Sequence, residues 1–167
     1  RVAMGDEISG VLTFGRARLA VLLLAGAMRR WPDERVGILL PAGAGAGLCI
    51  MAALLAGKTP VMLNWTLGDA NLKHVLEVAG LKRVLSAGRF LDRLANLNLD
   101  LLGETLITLE DLRREFTLPA KLSAMMLARR SPTAIAEHFG SARVAVSDTA
   151  VLLFTSGSEA APKGVPL

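Results

Sequence analysis

The segment Thr155-Ser-Gly-Ser-Glu-Ala-Ala-Pro-Lys-Gly164 gathers hydroxyls, two glycines and a lysine directly behind the apolar run Ala150-Val-Leu-Leu-Phe-Thr155. A continuous apolar run is what a parallel strand covered on both faces requires. In open α/β sheets, ligands sit beyond the carboxyl ends of the strands. A loop of Ser, Thr and Gly at that place can turn hydroxyls and close-approaching backbone N–H groups toward phosphate oxygens. The candidate phosphate-binding residues are therefore Thr155, Ser156, Gly157, Ser158, Lys163 and Gly164. Ser156 and Ser158 would donate hydrogen bonds, Gly157 would permit close approach, and the mobile ammonium of Lys163 would offset polyphosphate charge. Pro162 would limit the loop conformations to be frozen out. Composition alone fits a polar turn after a core strand equally well.

Other chemistries fit less well. Gly157 and Lys163 have the separation of a mononucleotide P-loop, but Pro162 stands where the second Gly belongs and Gly164 where a magnesium-holding Ser or Thr belongs. Gly43-Ala-Gly-Ala-Gly47 follows a strand and opens a helix, as a dinucleotide fingerprint does. Its third glycine, however, falls one place early, with Leu48 at the expected position, and residue 63 is Leu rather than an acid. Tightly packed backbone is the better account of those glycines. No Gly-x-Ser-x-Gly elbow exists, so Ser156 and Ser158 read as phosphate contacts and not as nucleophiles. His74 and His138 have no Cys neighbours and read as solvent-facing helix positions, not zinc ligands. Asn64, Trp65 and Thr66 follow a strand at its carboxyl end, where they form either a structural turn or one wall of a cleft.

The elements that must hold the loop alternate. Strands are expected at Leu12–Phe14, Val36–Leu40, Pro60–Leu63, Arg83–Ser86, Glu104–Thr108 and Ala150–Thr155. Helices are expected at about Arg16–Arg30, Gly45–Gly57, from Asp69 to a stop at Gly80, and Arg89–Leu97. In the third helix Leu72, Val75, Leu76 and Ala79 recur at helical spacing, with Asp69 placed to favour the N-terminus. Between Leu109 and His138 the pattern gives short helical pieces interrupted at Pro119 and Pro132. Strands alternating with helices predict an α/β fold, a mostly parallel sheet with flanking helices.

Bulk composition narrows the function classes. An apolar fraction of 52% argues against disorder, and 4% aromatics without tyrosine leaves Leu, Val, Ala and Met to build the core. The +4 net charge is spread in pairs such as Arg29–Arg30 and Arg129–Arg130, with no run of five like charges and no interleaved aromatics, so nucleic acid is not an expected partner. The single cysteine, Cys49, cannot form an internal disulfide and reads as a small buried hydrophobe. Residues 36–57 carry no charge over 22 positions, long enough to span a bilayer, but Pro41 and Gly43, Gly45 and Gly47 break them. A buried strand, turn and helix is the expected arrangement. Arg1 points to a trimmed or excised segment.

The residues of the loop resemble the phosphate-binding signature of the adenylate-forming (AMP-binding) superfamily, which runs Ser/Thr, Gly, Ser or Thr, Thr, Gly, any residue, Pro-Lys-Gly. Thr155, Ser156, Gly157, Ser158, Pro162, Lys163 and Gly164 match, whereas Glu159 replaces the usual Thr and Ala160 the usual Gly. Glu159, together with Gly37-Ile-Leu-Leu-Pro41, Pro60-Val-Met-Leu-Asn-Trp-Thr-Leu-Gly68 and Ser86-Ala-Gly-Arg-Phe-Leu-Asp92, is similar to the acyl-acyl-carrier-protein synthetase branch linked to 2-acylglycerophosphoethanolamine acyltransferase. The resemblance runs from about residue 10 to the end.

It implies that residues 1–167 are a partial N-terminal AMP-binding domain, cut just after the phosphate loop. The implied reaction joins ATP, with Mg2+ travelling on the nucleotide, to a fatty acid, and passes the acyl group to acyl carrier protein or CoA. The catalytic lysine, adenine pocket and fatty-acid tunnel would lie beyond Leu167, so no catalytic residue is expected in this segment, which alone should bind ATP weakly or not at all. The implied location is cytoplasmic, with peripheral association at the inner face of the cytoplasmic membrane an option for the longer protein. A lobe without catalysis, a phosphate-binding module that does not adenylate, and a membrane-embedded segment remain the alternatives.

Overall fold

The computed structural model describes residues 1–6, 10–94, 98–141, 145, 147–155 and 162–167. Short runs of β-branched and aliphatic residues form strands β3 (Arg35–Ile38), β4 (Thr59–Met62), β5 (Val84–Ser86), β6 (Leu106–Thr108), β7 (Leu152–Phe154) and β8 (Gly164–Pro166). They make one six-stranded sheet of order β6-β5-β3-β4-β7-β8. β3 pairs in parallel with β4 and β5, β4 with β7, and β5 with β6, so five strands point one way. β8 returns antiparallel to β7, with Leu152 opposite Pro166 and Phe154 opposite Gly164. The expected α/β fold, a mostly parallel sheet with flanking helices, is the fold observed. A separate hairpin, β1 (Val2–Asp6) and β2 (Gly10–Thr13), precedes it. Neither β1 nor β8 was expected from the sequence.

The helices begin where capping side chains sit. Thr13 accepts from Arg16 N and opens α1 (Phe14–Met28), so Phe14 starts a helix rather than ending a strand. α2 (Ala44–Leu55) and α3 (Gly68–Val78) fall close to their expected positions, and Gly80 (φ +60°) stops the latter in the left-handed region. α4 is shorter than expected, Gly88–Leu91, followed by a turn whose N–H groups reach back to Phe90 and Leu91; residues 95–97 lie outside the described ones. Glu104 and Thr105 belong to a 3-10 turn and not to β6.

Beyond β6 come α5 (Leu109–Arg114), α6 (Leu118–Leu127) and α7 (Pro132–Phe139). Pro119 and Pro132 do not interrupt helices; they occupy the first turns of α6 and α7, behind the caps Thr117 and Ser131. The reason is that a first-turn N–H has no intrahelical acceptor, so proline loses nothing there and presets φ.

The main core is built from Val36, Ile38 and Leu39 of β3 and the turn after it, Val61, Val84 and Leu85, under Ala25 and Met28 of α1 and Cys49, Ala52 and Ala53 of α2. A smaller cluster joins Leu22 of α1, Ala124 of α6 and Ile135 of α7. The apolar stretch 36–57 is divided among β3, a turn and α2. Among the described residues no helix is long and apolar enough to cross a membrane.

Candidate functional site

All five parallel strands deliver their carboxyl ends to one edge of the sheet, where the connections after β3, β4, β5, β6 and β7 gather. β7 brings Thr155 there, and the chain returns through Pro162 and Lys163 into β8. The base of the loop is closed by two hydrogen bonds. Thr155 N–H donates to the Lys163 carbonyl (3.1 Å), and Lys163 N–H donates to Thr155 Oγ1 (3.3 Å). The strands on either side of the loop are held in register by the antiparallel β7–β8 ladder.

Of the six predicted residues, Thr155, Lys163 and Gly164 lie among the described ones. Thr155 is exposed and clamps the loop base with its hydroxyl oxygen, leaving the hydroxyl proton for another acceptor. Pro162 is buried, whereas Lys163 is exposed. Gly164 heads β8, and a Cβ there would lie 3.3 Å from Leu152 Cδ1 and 3.4 Å from Phe154 Cζ. Its small size therefore serves strand packing as well as the loop. Ser156, Gly157 and Ser158 lie outside the described residues.

A second feature at the same edge escaped the sequence reading. β3 sends its connection toward β4, while β5 sends its own toward β6, so the crevice between their carboxyl ends is the topological switch point of the sheet. A cleft of about 320 Å³ opens there, lined by Leu40, Pro41 and Gly43 after β3, Ala87, Phe90 and Arg93 after β5, and Asp6 of β1. One residue before the lining positions Leu40 and Ala87, the fully buried Ser86 ties β5 to the chain leaving β3, its hydroxyl donating to the Leu39 carbonyl at 2.7 Å.

Asp6 also explains the glycine cluster. Its carboxylate accepts from Ala44 N–H at 2.6 Å, capping α2 from a distant strand, and a Cβ on Gly43 would stand only 2.6 Å from Asp6 Oδ2. The helix N-terminus that a dinucleotide pyrophosphate would use is filled by the protein's own carboxylate, in agreement with the rejection of a fingerprint there. Nothing near Gly43 in sequence signals this contact, because the partner lies 38 residues earlier.

The remaining polar candidates have structural places. Asn64 Oδ1 accepts from Thr66 N–H and Thr66 Oγ1 (3.0 and 2.8 Å), capping the 3-10 turn Trp65–Leu67. Trp65 then packs edge-on against Phe90, with ring centroids 4.9 Å apart. These residues form a structural turn at the rim of the same edge. His138 is exposed, as expected, but His74 is half-buried. Among the described residues no group of three or more His, Cys, Asp or Glu converges to hold a metal. Cys49 is fully buried, and burial pushes its thiol up to about 12.

Comparison with known proteins places this architecture. The fold is similar to O-succinylbenzoate coenzyme A synthetase of Bacillus subtilis in complex with AMP (TM-score 0.66, 21% identity, 99% of this chain and 38% of that one). It is also similar to VinN (TM-score 0.69, 21% identity, 99% and 39%) and to a benzoate CoA ligase of Burkholderia xenovorans LB400 (TM-score 0.66, 23% identity, 99% and 31%). The chain spans less than two-fifths of each of these proteins. The family model of the AMP-binding enzymes matches residues 1–167 from end to end, and the chain belongs to that family.

Proposed function

We propose that this chain is the nucleotide-phosphate lobe of an ATP-dependent acid–thiol ligase acting on fatty acids. The observation that carries the reading is the Thr155–Gly164 signature, mounted at the carboxyl end of a parallel strand and cinched at its base by Thr155 and Lys163. Family membership and the matched signature residues support it.

In the reaction a carboxylate oxygen of the acid attacks the α-phosphorus of ATP. The bond from that phosphorus to the bridging oxygen breaks, and pyrophosphate leaves with the electron pair. A thiol then attacks the acyl carbon and AMP departs. The loop's task is to hold the β- and γ-phosphates so that the leaving group departs in line. The Lys163 ammonium offsets the charge that grows on pyrophosphate, and the Ser156 and Ser158 hydroxyls donate to its oxygens. The β7–β8 pairing fixes the two ends of the loop, Thr155 and Lys163, beside each other. Magnesium would be carried on the phosphates, whose oxygens suit a hard cation that keeps several waters. Acyl carrier protein or CoA supplies the thiol, and the similarity to the acyltransferase-linked branch makes phospholipid acylation the destination of the acyl group. That role would place the protein in the cytoplasm, at the inner face of the membrane.

A second reading, a nucleotide-binding lobe without catalysis, rests on Ala160 in place of the family's glycine. Should the loop need positive φ there, alanine would cost about 1–2 kcal/mol. Fatty-acid-dependent exchange of labelled pyrophosphate into ATP by the complete protein separates the two readings, because only an adenylating enzyme shows it. Lys163→Ala should lower the exchange rate on the order of a hundredfold. An unchanged rate would remove the role given to that lysine, and exchange with aromatic acids but no fatty acid would correct the substrate class.

A further inference from the structure

The outer side of the α1–α2 layer holds a hollow that the phosphate loop does not use. On α1, Phe14, Arg18, Val21 and Leu22 recur at the spacing that puts side chains on one face of a helix. On α2, Cys49, Ala52 and Ala53 enter the core, so Met51 and Leu55, one turn apart, fall on the opposite side. Together with Met4 of β1 and Ile135 of α7, these faces surround about 310 Å³. The hollow reaches down to Leu22 and Ile135, which are 3% and 8% exposed, so it is a pocket and not a flat patch. Met51 and Leu55 lie about 10 and 16 Å along α2 from its start, which separates the pocket from the edge that carries the phosphate loop.

The chemistry of the lining is one-sided. Among the described residues Arg18 is its single polar side chain; the rest are alanine, aliphatic residues, methionine and phenylalanine. A second, more open hollow of about 360 Å³ shares Arg18, Leu55 and Ile135 and adds only Pro132 and Ala136. Arg18 thus stands where an apolar chamber meets an opening to solvent. It is half-buried, and donation from its Nη2 to the Arg130 carbonyl at 2.5 Å fixes the guanidinium while using one of its five N–H groups. The two ion pairs of the described residues, Arg83–Asp33 and Arg114–Asp111, do not involve it. A half-buried cation without a carboxylate partner among those residues favours an anion, and the chamber beside it favours hydrocarbon on that anion. A polypeptide segment laid there would bury backbone N–H and C=O groups with one side chain to meet them. The base and sugar of a nucleotide would meet the same lack of partners.

We infer that this pocket binds an unbranched aliphatic carboxylate, with its carboxylate paired to the Arg18 guanidinium and its chain lying between Val21 and Met51. At about 30 Å³ for each water-sized group, the pocket takes about ten methylenes. The site is separate from the one given to the reacting acid, and it rests neither on the ligase reading nor on nucleotide. A ligand held here touches α1, α2 and α7 at once, so its binding stabilises their packing.

The test is photolabelling of the complete protein with decanoic acid that carries a diazirine at its tail, followed by peptide mapping. Label should fall on the α1 and α2 peptides that contain Val21 and Met51. Unlabelled decanoate should compete, decanol at least about tenfold less well, and decyltrimethylammonium not at all. Competition should strengthen about fourfold with each methylene from hexanoate to decanoate. Arg18→Gln should weaken labelling at least about tenfold, and Met51→Glu, at a position 40% exposed, should abolish it. Circular dichroism reports the folding of both variants, and the ligand series reads the charge requirement without any variant. Equal competition by the three amphiphiles would overturn the proposal. So would label confined to other parts of the protein, a result that leaves the ligase reading untouched. Label on α1 and α2 in a protein that shows no acid-dependent pyrophosphate exchange would keep this site and remove the ligase reading.

Discussion

Replacing Gly37 by alanine should destabilise the protein through packing alone. Gly37 sits in β3, the strand flanked by β4 and β5, opposite Val61 and Val84. A Cβ there would stand 2.9 Å from Val84 Cγ2, 3.1 Å from Leu81 Cδ1 and 3.2 Å from Leu63 Cδ1. The two leucines can yield by small rotations, but Val84 is fully buried and β-branched, so its methyl has no second rotamer at low energy. Overpacking of this kind costs about 1–3 kcal/mol. Gly→Ala also stiffens the unfolded chain, which returns about 0.4–1 kcal/mol. The net expectation is a loss of about 1–2 kcal/mol, or roughly 2–8 °C in Tm.

Gly47→Ala is the matched control. It lies inside α2 with no atom within 4 Å of the added Cβ, so the same chemical change should stabilise by about 0.5–1 kcal/mol. Urea unfolding followed by far-UV circular dichroism measures both. Adding Val84→Ala to Gly37→Ala should cost less than the sum of the single changes, since one relieves the crowding made by the other. If Gly37→Ala matches or exceeds the wild type while Gly47→Ala behaves as expected, the close packing assigned to β3 is wrong.

Two further expectations concern Asp6 and Cys49. Asp6→Ala should lower stability by about 1–2 kcal/mol, measured by the same unfolding curves, because it removes the carboxylate that accepts from Ala44 N–H at the start of α2. Asp6→Asn should retain part of that, and equal stability of all three proteins would show that the cap is idle. Cys49, with its thiol raised by burial to about 12 from 9.0, should alkylate in the native protein at pH 8 about a thousandfold more slowly than in urea. A raised thiol pKa favours the fold below pH 9.0, and that contribution is lost as pH rises toward 12, so wild type should lose more stability than Cys49→Ala across that interval. Rapid native labelling, or parallel pH curves, would contradict the burial.

The loop itself was legible because its chemistry is local. Hydroxyls, glycine and lysine fall within ten consecutive residues behind an apolar strand, so the candidate loop and its resemblance to the family signature stand in one stretch of sequence. Most strands and helices were legible for the same reason, since periodicity is a property of neighbours. The errors came where short signals compete. Pro119 and Pro132 break helices in the interior but start them at the cap, and only the placement of Thr117 and Ser131 one or two residues before them decides which. Glu104 and Thr105 directly precede the apolar pair Leu106–Ile107 of β6, yet the 3-10 turn that starts at Gly103 (φ +46°) holds them out of the sheet.

What the sequence determined by itself was the α/β alternation, the phosphate signature and the placement of Cys49 in the core, all encoded within a few residues of each other. What only the tertiary structure decided was the return of β8 against β7, the cleft at the β3–β5 switch point, and the capping of α2 by Asp6. Each of these joins or orients elements by long-range packing. Strand order and the covered side of a helix depend on which distant surfaces meet, and no local pattern records that choice.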